Sequence, residues 1–194
     1  MTLVERFLVA VAEEWDRPTR PTLRIIGSTA LFLRTDYHRG TRDSDVLSTA
    51  ELDAETERRL LEIGGSGSQL ARRHRLHLQI VRNGIPFLPH APRWHALELP
   101  GQPNTMAFEV LDVTDVVVSK LKRFHADDRS DIAAMIERGL VAHDDVVQRF
   151  RSAVEDALLG AYAEELPRYV RNLHEVERDM FAVEETEIEL PGWI

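Results

Sequence analysis

Apolar side chains recur at helical spacing from the start of the chain, where Leu3, Phe7, Leu8, Val11 and Ala12 mark one face of an amphipathic helix over about the first fifteen residues. Pro18 and Pro21 end it. An apolar strand is predicted over 23–26, followed by Gly27-Ser28, an apolar helical stretch over 30–33 and a polar turn around Gly40. A second strand then opens on Asp43-Ser44-Asp45-Val46. Ser48 or Thr49 is placed to cap the next helix, whose Leu52, Leu60, Leu61 and Ile63 stand among charges and which Gly64-Gly65-Ser66-Gly67 terminates as a flexible turn. Three further extended pieces are expected at 76–82, 95–99 and 106–111. In the first, Leu76, Leu78 and Ile80 share one face, and His77, Gln79 and Val81 share the other. Pro86, Pro89, Pro92, Pro100 and Pro103 mark the loops between them.

From Val113 the period becomes helical. Thr114 or Asp115 caps a helix over 116–123, a second piece runs over 129–138 to Gly139, and a third covers 143–159 with Val146, Val147, Phe150, Val154 and Leu158 on one face. A last helix spans 162–176, and its stripe of Tyr162, Leu166, Tyr169 and Leu173 reads as core rather than as a base-stacking surface. The acidic end, residues 184–194, reads as a frayed terminus, or else as a docking tail. The change of period predicts an α+β domain with a mixed sheet flanked by helices over residues 1–112. A helical domain over 113–194 is expected to close over its cleft.

Chemistry concentrates where the first two strands meet. Residues i and i+2 of a strand share a face, so Asp43 and Asp45 point the same way. Left bare they repel each other, and one keeps its proton. Mg²⁺ relieves that repulsion and accompanies substrate phosphates. Gly27 lets the backbone approach a ligand closely, and a helix starting near Ser28 aims free N–H groups and the positive end of its dipole at an anion. Asp-x-Asp and Gly-Ser are each common in ordinary turns. Their order, strand, Gly-Ser turn, helix, strand with paired acids, is what makes a unit.

That unit resembles the nucleotidyltransferase fold of the DNA polymerase β superfamily, and Gly-Ser-x-Ala followed by Arg42-Asp43-Ser44-Asp45-Val46 is most similar to compact bacterial AbiEii-toxin-like proteins. Val116-Val117-Val118-Ser119-Lys120, continuing through Asp128-Arg129-Ser130-Asp131-Ile132, is similar to the Lys and Arg-Asp-x-x-Asp-Ile block of those proteins. The resemblance implies a transferase that moves a nucleoside monophosphate from a nucleoside triphosphate (NTP) to an acceptor hydroxyl. In it Asp43 and Asp45 hold Mg²⁺, Gly27 and Ser28 cradle the phosphates, Arg42 and Lys120 bind them, and Asp131 is catalytic. It leaves open whether the acceptor is an RNA end, a protein or a small molecule, and it implies an antitoxin partner. The chain departs from the superfamily pattern at the third carboxylate, which belongs on a later strand beside the Asp-x-Asp strand. The matching strand offers His77 or Gln79 instead, so the proton-accepting role falls to Asp131 or His77, or the fold is a nucleotide-binding or protein-interaction module without turnover.

Composition narrows the classes. A net charge of −9 disfavours broad nucleic-acid binding and leaves Arg72-Arg73-His74-Arg75 as one candidate local basic patch, or equally a solvated loop. With no cysteine, disulfides and thiol nucleophiles are excluded, and the eight histidines lack the His-Glu-x-x-His spacing of a zinc hydrolase. No apolar run reaches the roughly twenty residues a membrane span needs, and no signal peptide opens the chain, so a cytoplasmic protein is expected.

Overall fold

The computed structural model describes residues 1–37, 43–49, 52–158, 160 and 163–193. It divides into two compact units, residues 1–85 with 94–112, and residues 86–93 with 113–194. The first unit is an α+β layer built on one five-stranded mixed sheet. In chain order it runs α1 (Leu3–Glu13), β1 (Thr22–Ile25), α2 (Gly27–Arg34), β2 (Asp43–Leu47), α3 (Ala54–Gly64), α4 (Gln69–His74), β3 (His77–Val81), β4 (Trp94–Leu97) and β5 (Ala107–Leu111). The strand order across the sheet is β3-β2-β1-β5-β4. β2 and β3 are parallel, as are β1 and β5, while β1 runs antiparallel to β2 and β4 to β5.

Alternation along the strands sorts the sheet into two faces. One face buries Leu23, Ile25, Val46, Leu78 and Phe108 against Phe7 and Leu8 of α1, Leu60 and Ile63 of α3, and Leu70 of α4. At about 1.5–3 kcal/mol for each fully buried large apolar side chain, this layer dominates the stability of the unit. The first helix is fixed at its start by a reciprocal cap: the Thr2 side chain accepts from the Glu5 N–H, and the Glu5 carboxylate accepts from the Thr2 N–H at 2.6 Å.

Two helix starts in this unit differ from the sequence reading. Asp53, not Ser48 or Thr49, caps α3 by accepting the Thr56 N–H at 2.7 Å. Ser48 instead donates its N–H to the Val81 carbonyl and extends the β2–β3 pairing. The basic patch after the glycine-rich turn lies largely on a short helix, α4, which Ser68 caps by accepting the Ala71 N–H at 3.0 Å. Six residues are too few to show a 3.6-residue period, so composition dominated the reading there.

The second unit is helical: α5 (Val113–Lys120), α6 (Ala126–Glu137), α7 (His143–Ala157) and α8 (Leu166–Val176), the last preceded by a 3₁₀ turn (Ala163–Glu165) and followed by a π turn (Glu177–Phe181). Val146, Phe150 and Val154 of α7 and Tyr169 and Leu173 of α8 are buried, and Phe87 packs edge-on against Phe150 and Tyr169. Helix α5 begins at Val113, and Asp115 is not a cap: it is fully buried and receives the Arg149 guanidinium at 2.6 Å and the Arg93 N–H at 2.7 Å. Helix α6 starts at Ala126, earlier than expected, because Asp128 accepts the His125 N–H in a capping box. Tyr162 falls outside the described residues, and α8 starts at Leu166 with a proline in its first turn. The acidic end is tied down rather than frayed. Thr186 donates its N–H to Glu177 at 3.0 Å, and the Thr186 carbonyl lies 3.1 Å from His174 Nε2.

Candidate active site

The face of the sheet opposite the helices carries the polar side chains. Asp43 and Asp45 are half-buried on it, with Ser44 fully buried on the far side between them. The alternation predicted from the sequence therefore holds. The start of α2 is stitched to the backbone of both acids: the Ile26 N–H donates to the Asp45 carbonyl at 2.9 Å, and the Thr29 hydroxyl donates to the Asp43 carbonyl at 2.8 Å.

Gly27 sits at that junction with φ +66°, the left-handed region in which a side chain is strained. A Cβ built on it would lie 2.8 Å from Asp45 Oδ2. Glycine is thus required twice, by its backbone angle and by the carboxylate it faces. Ser28 is the second residue of α2. No acidic residue lies in the first turn of this helix, so its positive end is not neutralised from within. The structure places Gly27, Ser28, Asp43 and Asp45 in one neighbourhood; Arg42 lies outside the described residues.

β3 lies directly beside β2, and register aligns His77 with Asp43 and Gln79 with Asp45. Nε2 of His77 is 3.2 Å from Asp43 Oδ1. The strand next to the paired acids thus offers an imidazole and an amide where the superfamily pattern has a carboxylate. An acid does occur elsewhere on this face. Arg24 is aligned with Leu47, and Glu109 with Arg24, so both share the side of Asp45. The Glu109 carboxylate is taken up by Arg24 at 2.8 Å, with the Trp94 ring 5.4 Å from the guanidinium. Sequence reasoning did not single out this pair. The period-2 alternation of β1 and β5 was the signal that could have found it.

An oxygen-only donor set of two carboxylates matches what Mg²⁺ takes from proteins, one or two carboxylates with substrate phosphates and waters completing the octahedron. Among the described residues no group of three His, Asp or Glu side chains is arranged to hold a metal ion. The residues present therefore suit an ion shared with a nucleotide rather than a cage made by the protein alone.

Lys120 and Asp131 lie in the helical unit. Nζ of Lys120 is 2.8 Å from Asp131 Oδ2 and 3.2 Å from Asp128 Oδ1, and the three side chains are 5%, 0% and 1% exposed. The resemblance implies phosphate binding by Lys120; in the structure its ammonium lies between two acids. Burial pushes the Asp128 carboxyl up. The hydrogen bond from Arg123, the charges of Lys120 and Arg123 and the His125 N–H outweigh that and hold it at about 2. Asp128 is thereby a helix cap and a buried ion-pair partner at once.

No curated protein and no solved structure matches this chain. A family model described as a nucleotidyltransferase of unknown function (DUF6036) matches residues 6–159, a span that includes the Gly27 turn, both acids of β2 and the Lys120–Asp131 pair. Covering well over half of the sequence, that match makes the chain a member of this nucleotidyltransferase family.

Proposed function

We propose that the chain transfers a nucleoside monophosphate from an NTP to an acceptor hydroxyl at the Gly27–Asp45 junction. The observation that carries this reading is the 2.8 Å separation between the missing Cβ of Gly27 and Asp45 Oδ2. It brings a helix N-terminus suited to phosphate against a carboxylate suited to a cation. Gly27 and Ser28 would present backbone N–H groups to the triphosphate, and Asp43 and Asp45 would hold Mg²⁺. When bound, the ion would neutralise charge on the phosphates and on the leaving pyrophosphate. In the transfer the hydroxyl oxygen bonds to the α-phosphorus, the bond from that phosphorus to the β-bridging oxygen breaks, pyrophosphate leaves, and the hydroxyl proton passes to water.

Likeness to AbiEii-type proteins supports a toxin neutralised by an antitoxin, acting in the cytoplasm where NTPs are plentiful. Among the described residues no helix is long and apolar enough to cross a membrane. The reading rests on the first unit alone and routes no step through Lys120 or Asp131.

His77 and Gln79 beside the acids favour a second reading, in which the fold binds nucleotide without turnover. One assay separates the two. Incubation with Mg²⁺, each α-labelled NTP and total RNA or protein should leave label on an acceptor, and the Asp43→Asn/Asp45→Asn variant should leave none. Micromolar NTP binding without label supports the second reading. Neither binding nor label overturns both.

A further inference from the structure

Charge is distributed very unevenly along this acidic chain. Residues 63–85 contain four arginines and no Asp or Glu, so the remaining residues, with 20 Lys and Arg against 33 acids, carry a net charge of −13. Three of the four, Arg72, Arg73 and Arg75, are exposed at the end of α4. Three other arginines of the same unit are paired, Arg24 with Glu109, Arg59 with Asp16 and Arg17 with Glu55, while Arg6, Arg20, Arg34, Arg58 and Arg82, like the patch, have no ion pair among the described residues. Arg72, Arg73 and Arg75 have no carboxylate within ion-pair distance among the described residues, and the one side-chain bond among them runs from Arg72 to the Gly67 carbonyl at 3.1 Å. Uncompensated guanidinium groups on a chain of opposite overall sign make a local anion-attracting patch.

Its position connects it to the proposed chemistry. Arg75, in the left-handed conformation at φ 54°, turns the chain out of α4, and His77, two residues later, stands opposite Asp43. Two residues span at most about 7 Å. β3 is also the outer strand of the sheet, so the turn that carries Arg75 leads into the edge strand beside Asp43, while α4 itself packs on the face opposite the two acids.

We propose that the Arg72–Arg73–Arg75 edge docks the phosphate backbone of a single-stranded RNA acceptor, delivering a terminal hydroxyl to the Asp43 side of the site. This rests on the transfer reading above. A row of phosphates satisfies several bidentate guanidinium groups, which a small neutral acceptor cannot do.

The experiment measures the anisotropy of a 5′-labelled 12-nucleotide RNA with the full chain and no NTP, from 50 to 200 mM KCl. Three released counterions give a slope of about −2 in log affinity against log salt, or roughly 20-fold weaker binding across that range. Arg72→Gln/Arg73→Gln/Arg75→Gln should flatten the slope and weaken binding by about tenfold or more, while NTP affinity, read by isothermal titration, stays unchanged. Unaltered RNA binding in this variant overturns the proposal. So does a poly-glutamate peptide that binds the wild-type chain as tightly as RNA, since the edge then recognises acidic protein. If the arginines serve only to keep a sheet edge from aggregating, the variant precipitates while its soluble fraction retains RNA affinity, which also overturns it. RNA binding that persists alongside absent NTP binding would instead refute the transfer site and leave the docking edge standing.

Discussion

Replacing Gly27 by alanine puts a methyl group where Asp45 Oδ2 already stands, 2.8 Å from the new Cβ, on a residue whose φ is +66°. Two costs follow, and they can be separated. The left-handed backbone costs a non-glycine residue about 1–2 kcal/mol whatever surrounds it. The contact with Asp45 adds a term that exists only while the carboxylate is there, and interactions between touching residues typically couple by about 0.5–3 kcal/mol. For a chain of this size each kcal/mol lowers Tm by about 2–4 °C, so Gly27→Ala should unfold several degrees below the wild type. Asp45→Ala removes the carboxylate. In that background the alanine at 27 should retain the backbone cost and lose the contact cost, and a double-mutant cycle by urea unfolding reads the difference. Function should respond more strongly than stability. On the transfer reading, displacing Asp45 or the turn by a few tenths of an ångström would disturb both the proposed cation ligand and the proposed phosphate cradle, so NTP affinity by isothermal titration should fall by about tenfold or more, equivalent to roughly 1.4 kcal/mol. A folded Gly27→Ala protein that binds NTP like the wild type, with additive energies in the cycle, would show that turn and acid do not share the space assigned to them.

Asp128→Asn leaves Lys120 with one buried carboxylate instead of two and should cost about 3–5 kcal/mol at pH 7, read by urea unfolding. Because the native Asp128 carboxyl lies at about 2, below its ordinary 3.8, its contribution is complete above about pH 3.8 and is lost as pH falls through about 2. That pH-dependent share is about 2 kcal/mol, and the variant should show a correspondingly flatter stability profile between pH 4 and 2. His74 Nε2 is buried without a hydrogen-bond partner among the described residues, and burial, with the charges of Arg73 and Arg6, lowers its pKa below the ordinary 6.5. The unfolded chain therefore takes up this proton first. Stability should be full above about pH 6.5 and decline below it, and His74→Phe, beside the Phe7 ring, should blunt that decline in melts between pH 6.5 and 5. At Gly64 a Cβ would meet Leu78 Cδ1 at 2.8 Å and Val11 Cγ2 at 3.3 Å, so Gly64→Val should cost about 1–3 kcal/mol in urea melts, and less than that when introduced into a Leu78→Ala background.

How much of the fold the sequence disclosed depends on length and period. Helix α1 and the pattern Val146, Val147, Phe150 and Val154 of α7 were legible because several turns of 3.6-residue spacing leave little room for another reading. Strands β1, β2, β3 and β5 were legible as alternations between punctuating residues. Helix α4 was not, since six residues after a glycine-rich turn give composition and no period. Caps misled where several capping residues compete: Ser48, Thr49 and Asp53 are chemically equivalent on paper. What decides for Asp53 is that Ser48 is consumed by pairing with Val81, a partner 33 positions away. The acidic end was misread for the same reason. His174, on the predicted last helix, and Glu177, in the π turn just beyond it, hold Thr186 through contacts that the tail's own composition does not reveal.

The candidate site was legible where its logic is local and obscure where it is not. Asp43 and Asp45 share a face by strand geometry alone, and the Gly27 turn follows from glycine's freedom, so both could be placed before any coordinates. Their contact could not, because it depends on how β1 and β2 pair, and antiparallel register is set by partners rather than by spacing within one strand. The same register decides what stands beside the acids. A parallel β2–β3 pairing aligned one residue further along would place Leu78, an apolar side chain belonging to the opposite face, against Asp43. The observed alignment instead puts His77 there, on an edge whose arginines have no acidic partners in ion-pair range among the described residues. On the transfer reading, the paired oxygen ligands and the cationic border would divide the labour between a metal-bound triphosphate and a second, separately held polyanion. A protein meant only to bind NTP has use for the first and none for the second. Salt-dependent RNA binding at that border, found together with NTP binding, would therefore favour an RNA-directed transferase over a nucleotide-binding remnant, and label left on the RNA would decide between them.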